Sequence, residues 1–216
     1  MTDCASIDLK HHFLIAMPGL EDETFARSVI YMCEHSARGA MGLIINKPSD
    51  ISMRLLFDKV DLPLRREDLV QNPVLQGGPV QTERGFVLHD PIWLASAENS
   101  EASKAPVDAE EADQAEPASS IYASTLSVPG GLAMTTSKDV LEALSNGSGP
   151  KRVLVTLGYA SWGEGQLESE IGENSWLTVE ANPDIIFETP IEQRYEKALA
   201  LLGLQPWMLS TVAGHA

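Results

Sequence analysis

Apolar residues along this chain fall mostly in short runs bounded by turn-forming residues, a pattern typical of β-strands. Phe13–Met17 and Ser28–Glu34 are predicted to be strands joined by the PGLEDETFAR connection. Ala40–Asn46 is predicted to pair back on the second of them across the turn at 35–39, which makes a hairpin. Further strands are predicted at Lys151–Tyr159, at Asp184–Glu188 and across the RGFVLHD motif that starts at Arg84.

Helical signals are fewer and lie between the strands. Ser52–Val60 has the pattern of a short amphipathic helix, and Gln166–Glu173 is predicted to be a short polar helix after a tight turn at 161–165. Capping boxes are predicted at 136–139, before a helix that Gly147 ends, and at 189–192, before a helix that Gly203 ends. Trp207 is predicted to anchor the last helix.

The order of these elements favours an α+β fold, because strands and helices do not alternate as they do in a doubly wound sheet. With 216 residues and 44% apolar content, the chain is expected to form a single domain over residues 1–216. Residues 95–118 interrupt it with seven acids, one lysine and no apolar periodicity. We predict a disordered acidic insertion there, either a solvated loop or an interaction tail.

Charge and targeting signals narrow the function classes. A net charge of -16 repels phosphate backbones, and no helix-turn-helix or basic recognition helix is visible, so we expect no direct nucleic-acid partner. No apolar run approaches the ~18 residues that span a bilayer, and the N-terminus lacks a signal-peptide core. These features, with only two cysteines, predict a cytoplasmic protein in a reducing compartment.

The segment Leu157–Leu177, LGYASWGEGQLESEIGENSWL, is the most distinctive in the chain. Together with FLIAMPGL, YMCEHSARGAMGLIINKP, QGGPV, RGFVLHD and the terminal GHA, it resembles the YqgE/AlgH family of bacterial proteins. The resemblance implies a mixed, bifurcated β-sheet curled into a partial barrel, with helices packed outside. The family carries a label as transcriptional regulators and has no established biochemical activity. Because no DNA-binding signature is visible in this chain, any such regulation would have to pass through a protein partner of unknown identity.

Cys33 is the best candidate for chemistry. Regular strand alternation places Cys33 and His35 on one face with Cα atoms about 6.6 Å apart, so that the imidazole could activate the thiol. The Glu34 carboxylate opposes that activation. The alternative, which we weight more heavily, is that Cys33 is a small buried apolar residue in a core strand.

Glycine-rich turns are the candidates for ligand binding. Gly77 and Gly78 could form an anion-binding nest, although a tight bend with close backbone contact is the favoured interpretation. Trp162 and Gly163 could line a groove with an acidic rim, suited to a cationic or peptide ligand, although core packing of the tryptophan is favoured. We predict no metal site and no cofactor, because the histidines are scattered.

Three functions remain open from the sequence. The first is a regulatory or interaction protein, and it agrees with the lack of a recognisable catalytic constellation. The second is a thiol-dependent enzyme or redox sensor centred on Cys33 and His35. The third is a small-ligand binding module that uses the glycine-rich turns and Trp162. An enzyme is the less favoured outcome, since Ser161 lacks the flanking glycine spacing of a nucleophile elbow.

Overall fold

The computed structural model describes residues 8–92 and 120–209. The predicted insertion at 95–118, Cys4 and the terminal GHA motif therefore lie outside the described residues. The strands are β1 (His12–Ala16), β2 (Val29–Ser36), β3 (Gly39–Ile44), β4 (Pro48–Ser52), β5 (Pro73–Gln76), β6 (Val80–His89), β7 (Thr125–Val128), β8 (Leu132–Thr135), β9 (Val153–Trp162) and β10 (Trp176–Glu180). The helices are α1 (Met53–Lys59), α2 (Asp139–Ser145), α3 (Gln166–Gly172), α4 (Pro183–Phe187) and α5 (Arg194–Leu201), with one-turn 3₁₀ helices at Glu67–Leu69, Ile191–Gln193 and Pro206–Met208.

The strands form one curled sheet in the order β10-β1-β2-β3-β9-β6-β8-β7. All neighbours along this path are antiparallel. The short strand β5 lies off the path, where it pairs with β4 and runs parallel to β9. The predicted α+β class and the mixed, bifurcated, partly barrel-like sheet are confirmed. The predicted hairpin of β2 and β3 is also confirmed, since Ser36 pairs with Gly39.

The sheet divides because β9 changes partner along its length. Thr156 and Leu157 pair with β5, whereas residues 160–162 pair with β3. Gly158 lies between these two stretches with a φ of +72°, and a Cβ there would come within 2.5 Å of the Gly78 carbonyl oxygen. Only glycine meets both conditions without strain. We call this junction of β3, β5 and β9 the fork.

Apolar side chains on the two faces of β1 and β2 enter different cores. Phe13 and Tyr31 point into the larger core, which α4 and α5 cover. Leu14 and Met32 point into a second core that contains the two tryptophans Trp162 and Trp176. A third core lies under α1 and α2. Alternate residues of β1 and β2 are thus buried on both faces of the sheet, which explains why the sequences of these two strands are almost continuously apolar.

The prediction of a strand at Asp184–Glu188 is wrong, because this segment contains α4. The Asn182 side chain accepts a hydrogen bond from the Asp184 backbone N–H at 2.9 Å, and Pro183 occupies the first turn. Ile185 and Ile186 are buried by the helix. A short apolar run fits a strand or a helix equally well, and the Asn-Pro start decides between them.

Both predicted capping boxes are wrong, although the helices themselves form. Lys138 precedes α2 without a side-chain cap, and the Asp139 carboxylate instead accepts from the Ala123 backbone N–H at 2.7 Å. The last helix starts with a 3₁₀ turn, and α5 begins at Arg194. Trp207 is 77% exposed, so it does not anchor that helix.

Candidate functional site

A β-bulge in β2 separates Cys33 from His35. Met32 pairs with Gly42, but Glu34 already pairs with Met41, so one residue on β2 has no partner on β3. Each extra residue reverses the faces of those that follow. The expectation that Cys33 and His35 share a face is therefore wrong.

Cys33 points into the larger core. Its side chain is 2% exposed, and the thiol donates a long hydrogen bond to the Tyr31 carbonyl oxygen at 3.7 Å. Burial, with a smaller contribution from the Glu34 charge, raises the pKa of the Cys33 thiol to about 12. A nucleophilic cysteine needs the opposite shift. The structure thus gives Cys33 the environment of a small apolar residue.

His35 joins β2 to α3 on the other face. Its Nδ1 accepts a hydrogen bond from the Leu9 backbone N–H at 3.2 Å, which leaves the Nε2 proton to face Glu168 Oε1 at 3.0 Å. The His35 side chain is 6% exposed. Both ring nitrogens are therefore occupied by partners that hold the chain together.

Trp162 lies in the second core and is held by a carboxylate. The Trp162 and Trp176 indole N–H groups both donate to Glu170 Oε2, at 2.9 and 2.8 Å. The two rings meet edge to face with centroids 6.0 Å apart. Buried indole N–H groups require an acceptor, and Glu170 supplies one for both.

The turn at Gly163 belongs to the same arrangement. Its backbone N–H donates to Gln166 Oε1 at 3.0 Å, and the Gln166 amide donates to Glu170 Oε1 at 2.9 Å. The predicted turn is shorter than expected, since β9 continues to Trp162. The polar residues of this distinctive segment thus fix α3 against the sheet.

Gly77 and Gly78 form the inner wall of the fork. A Cβ on Gly77 would lie 2.2 Å from the Gly158 carbonyl oxygen, and one on Gly78 would lie 2.2 Å from the Tyr159 carbonyl carbon. Gly77 donates to the Leu157 carbonyl at 2.8 Å and accepts from the Ile44 N–H at 2.9 Å. The favoured interpretation, a bend with close backbone contact, agrees with this geometry.

A cleft of about 350 Å³ opens at the fork beside Gly78. We call it the fork cleft. Ile44, Pro79 and Leu157 supply its apolar wall. Its polar side chains come from four separate parts of the chain: Thr24, Lys47 and Ser49, Gln76, and Thr82. Of the sequence candidates, the fork cleft includes Gly78 with Gly77 behind it, but neither Cys33 nor Trp162.

Lys47 is the cation of the fork cleft. Its Nζ donates to the Glu23 carbonyl oxygen at 3.0 Å, and within residues 8–92 and 120–209 it forms no ion pair. Burial lowers the pKa of the Lys47 ammonium, and the Asp22 charge partly opposes this shift. The Asp22 carboxylate is itself held by the backbone N–H groups of Thr24 and Phe25.

Sequence reasoning did not select Lys47 as a functional residue. The only local signal was its place directly after a buried strand, in the motif IINKP. Its partner Glu23 is distant along the chain and belongs to the β1–β2 connection. Folding at the fork is needed to bring the two together.

The sequence model of the AlgH-like family, DUF179, matches residues 13–207. The chain belongs to the AlgH-like family. Among curated AlgH-like relatives, a UPF0301 protein of Paracidovorax citrulli is 68% identical over 215 residues and covers 99% of both chains. A UPF0301 protein of a Polaromonas species is 65% identical, covering 100% of this chain and 99% of its own. Neither name states an activity.

Solved structures agree with the AlgH-like assignment. The solution structure of the AlgH protein from Pseudomonas aeruginosa superimposes with a TM-score of 0.68, at 42% identity and 100% coverage of both chains. A crystal structure of protein DIP2367 from Corynebacterium diphtheriae has a TM-score of 0.61 at 21% identity, covering 89% of this chain and 86% of that one. The second likeness shows a shared fold. None of the described helices is long and apolar enough to cross a membrane.

Proposed function

We propose that this AlgH-like chain is a small-ligand-binding regulatory protein whose ligand site is the fork cleft. The observation that carries the proposal is Lys47, a half-buried lysine that lines a largely apolar cleft and forms no ion pair among the described residues. Withdrawing a charge from water costs free energy unless a counter-charge compensates. An anionic ligand would supply that counter-charge.

The lining of the fork cleft narrows the chemistry of the ligand. Thr24 and Thr82 offer hydroxyl groups, whereas the Ser49 hydroxyl already donates to the Val74 carbonyl oxygen at 2.7 Å. Ile44 and Leu157 give an apolar surface opposite these groups. A volume of about 350 Å³ is at the small end of ligand sites. We infer a small anionic metabolite that carries further hydrogen-bonding groups.

A regulatory role through a protein partner is part of this proposal. The net charge of -16 disfavours direct contact with nucleic acid, so we propose that the ligand changes contacts with another protein in the cytoplasm. The β1–β2 connection is the segment that would respond, because Lys47 binds the Glu23 carbonyl oxygen within it. A ligand that drew the ammonium into the cleft would release this connection.

The proposal is tested by titrating ¹⁵N-labelled protein with sodium sulfate at constant ionic strength. Sulfate stays fully ionised near neutral pH and is small enough for the cleft. The expected result is saturable shifts at Gly77, Gly78 and Thr24 that disappear in Lys47→Met. Lys59→Met, which removes an exposed ammonium at the end of α1, should leave them unchanged. Equal shifts in Lys47→Met, or linear shifts scattered over the surface, would contradict the proposal.

A further inference from the structure

A second cavity, of about 290 Å³, lies between the sheet and the segment that joins α4 to α5. Most of its lining residues are apolar, with Leu75 from β5 and Val153 and Val155 from β9 on one side, although the polar part of the exposed lining is the larger. Phe187 and Ile191 close the other side. Arg194, the first residue of α5, supplies a cation to its lining, and we call it the Arg194 cavity.

Arg194 is buried, and its hydrogen-bond partners in the described part of the chain are neutral carbonyl oxygens. The residue is 6% exposed. Its Nε donates a hydrogen bond to the Thr189 carbonyl oxygen at 3.0 Å, and its Nη1 donates one to the Ile45 carbonyl oxygen. No carboxylate of the described residues lies within ion-pair distance of it. Burial lowers the pKa of the Arg194 guanidinium to about 10, against a smaller raising effect of Glu192, so it stays protonated at neutral pH.

The two carbonyl contacts use only some of the N–H donors of the Arg194 guanidinium. Arginine carries five N–H donors in a planar fork that matches a carboxylate. Buried arginine is usually paired with an acid, since carbonyl oxygens offset its lost hydration only in part. An arginine held in this way beside an open volume has both the charge and the donors for an anion.

The surroundings favour one negative charge and an apolar body. Glu188 lines the same cavity as an exposed carboxylate, and its charge acts on Arg152, which is paired with Asp90 at 2.6 Å. A second negative charge on the ligand would meet Glu188, whereas an apolar group would meet Leu75 and Val153. Phosphate-like dianions are therefore disfavoured.

We propose that the Arg194 cavity binds a small monocarboxylic acid. The carboxylate pairs with the Arg194 guanidinium, and a short aliphatic or aromatic body packs against Leu75, Val153 and Ile191. The volume of about 290 Å³ accommodates a ligand the size of benzoate or hexanoate. This site is separate from the fork cleft, which carries the proposed regulatory function.

The test is calorimetric titration of the full chain with benzoate and hexanoate, each beside its neutral amide. The acids are expected to bind at least about tenfold more tightly than benzamide and hexanamide, because only the acids pair with the guanidinium. Val153→Phe, which enlarges a side chain in the cavity wall and leaves Arg194 itself unchanged, should abolish binding. If it fails to fold, Ile191→Phe fills the same volume from the opposite wall.

Two controls locate the binding. Arg84→Met removes an exposed cation outside the cavity and should leave the affinity for benzoate unchanged. Lys47→Met should also bind benzoate with unchanged affinity, whether or not sulfate binds at the fork cleft. Equal affinity for acid and amide, unchanged binding in Val153→Phe, or loss of binding in Lys47→Met would each overturn this proposal.

Discussion

The fork cleft and the Arg194 cavity both contain a cation that has no acidic partner within residues 8–92 and 120–209, but the two cations have different roles in the fold. Lys47 is half-buried and donates to one carbonyl oxygen, that of Glu23. Arg194 is buried and ties the end of β3 to the α4–α5 segment through two carbonyl oxygens. In the fork cleft, ligand binding and stability should therefore be separable, whereas in the Arg194 cavity they should be coupled.

The largest effect on stability should come from adding a side chain inside the fork. Gly77→Ala places a methyl group 2.2 Å from the Gly158 carbonyl oxygen, so β5 and β9 must move apart. We expect a loss of about 3 kcal/mol in the free energy of unfolding, measured by urea denaturation. Gly85→Ala is the matched control, because nothing lies within 4 Å of its added methyl group. A small loss for Gly77→Ala would mean that the fork is not rigid.

Arg194→Met should cause the second-largest loss of stability. It leaves the Ile45 and Thr189 carbonyl oxygens without their donor, and we expect a loss of about 2 kcal/mol in the free energy of unfolding. The same urea experiment measures it. Unchanged stability would show that the arginine is held for a ligand alone, and the proposed contrast between the two cations would disappear.

Lys47→Met tests the other half of the contrast. The methionine keeps most of the apolar stem and loses one hydrogen bond to the Glu23 carbonyl oxygen. We expect the free energy of unfolding to change by less than about 0.5 kcal/mol near neutral pH. A loss as large as that of Arg194→Met would give Lys47 a structural role and weaken its assignment to a ligand.

The smallest effect is the pH dependence of the Lys47 ammonium. Its pKa in the folded chain is lowered from 10.5, so the unfolded chain binds more protons in the window below that value. The wild-type protein should therefore gain stability relative to Lys47→Met as pH rises through the window. Sulfate affinity at the fork cleft should fall over the same window, because the ammonium loses its charge. If the free energies of unfolding of the two proteins changed in parallel with pH, the lowered pKa of Lys47 would be contradicted.

The elements that local sequence determines were predictable. The β2–β3 hairpin and α3 follow from turn residues and apolar spacing, and the close approach at Gly77 follows from the paired glycines. The bulge at Cys33 has no such signal, because it depends on how β2 pairs with β3. Its effect on the predicted site is large, since it moves His35 to the face opposite Cys33.

The cations of the two cavities were missed for a related reason. Lys47 and Arg194 are unremarkable in sequence, since their surroundings come from segments far away along the chain. Arg194 falls within the helix that was predicted to follow the capping box at 189–192, and no sequence signal set it apart there. Whether a cation has an acidic partner depends on the folded surroundings. Apolar spacing and motifs carry no information about it.

The change of partner along β9 has a consequence for synthesis on the ribosome. β3 and β6 leave the ribosome well before Val153–Trp162, the strand that lies between them. Until β9 emerges, each presents an unpaired edge that can join another nascent chain. β9 thus acts as a late closing strand, and translation must pass the acidic stretch at 95–118 before the edges are protected. Truncation within β9 should accordingly produce an aggregating polypeptide rather than a smaller folded one.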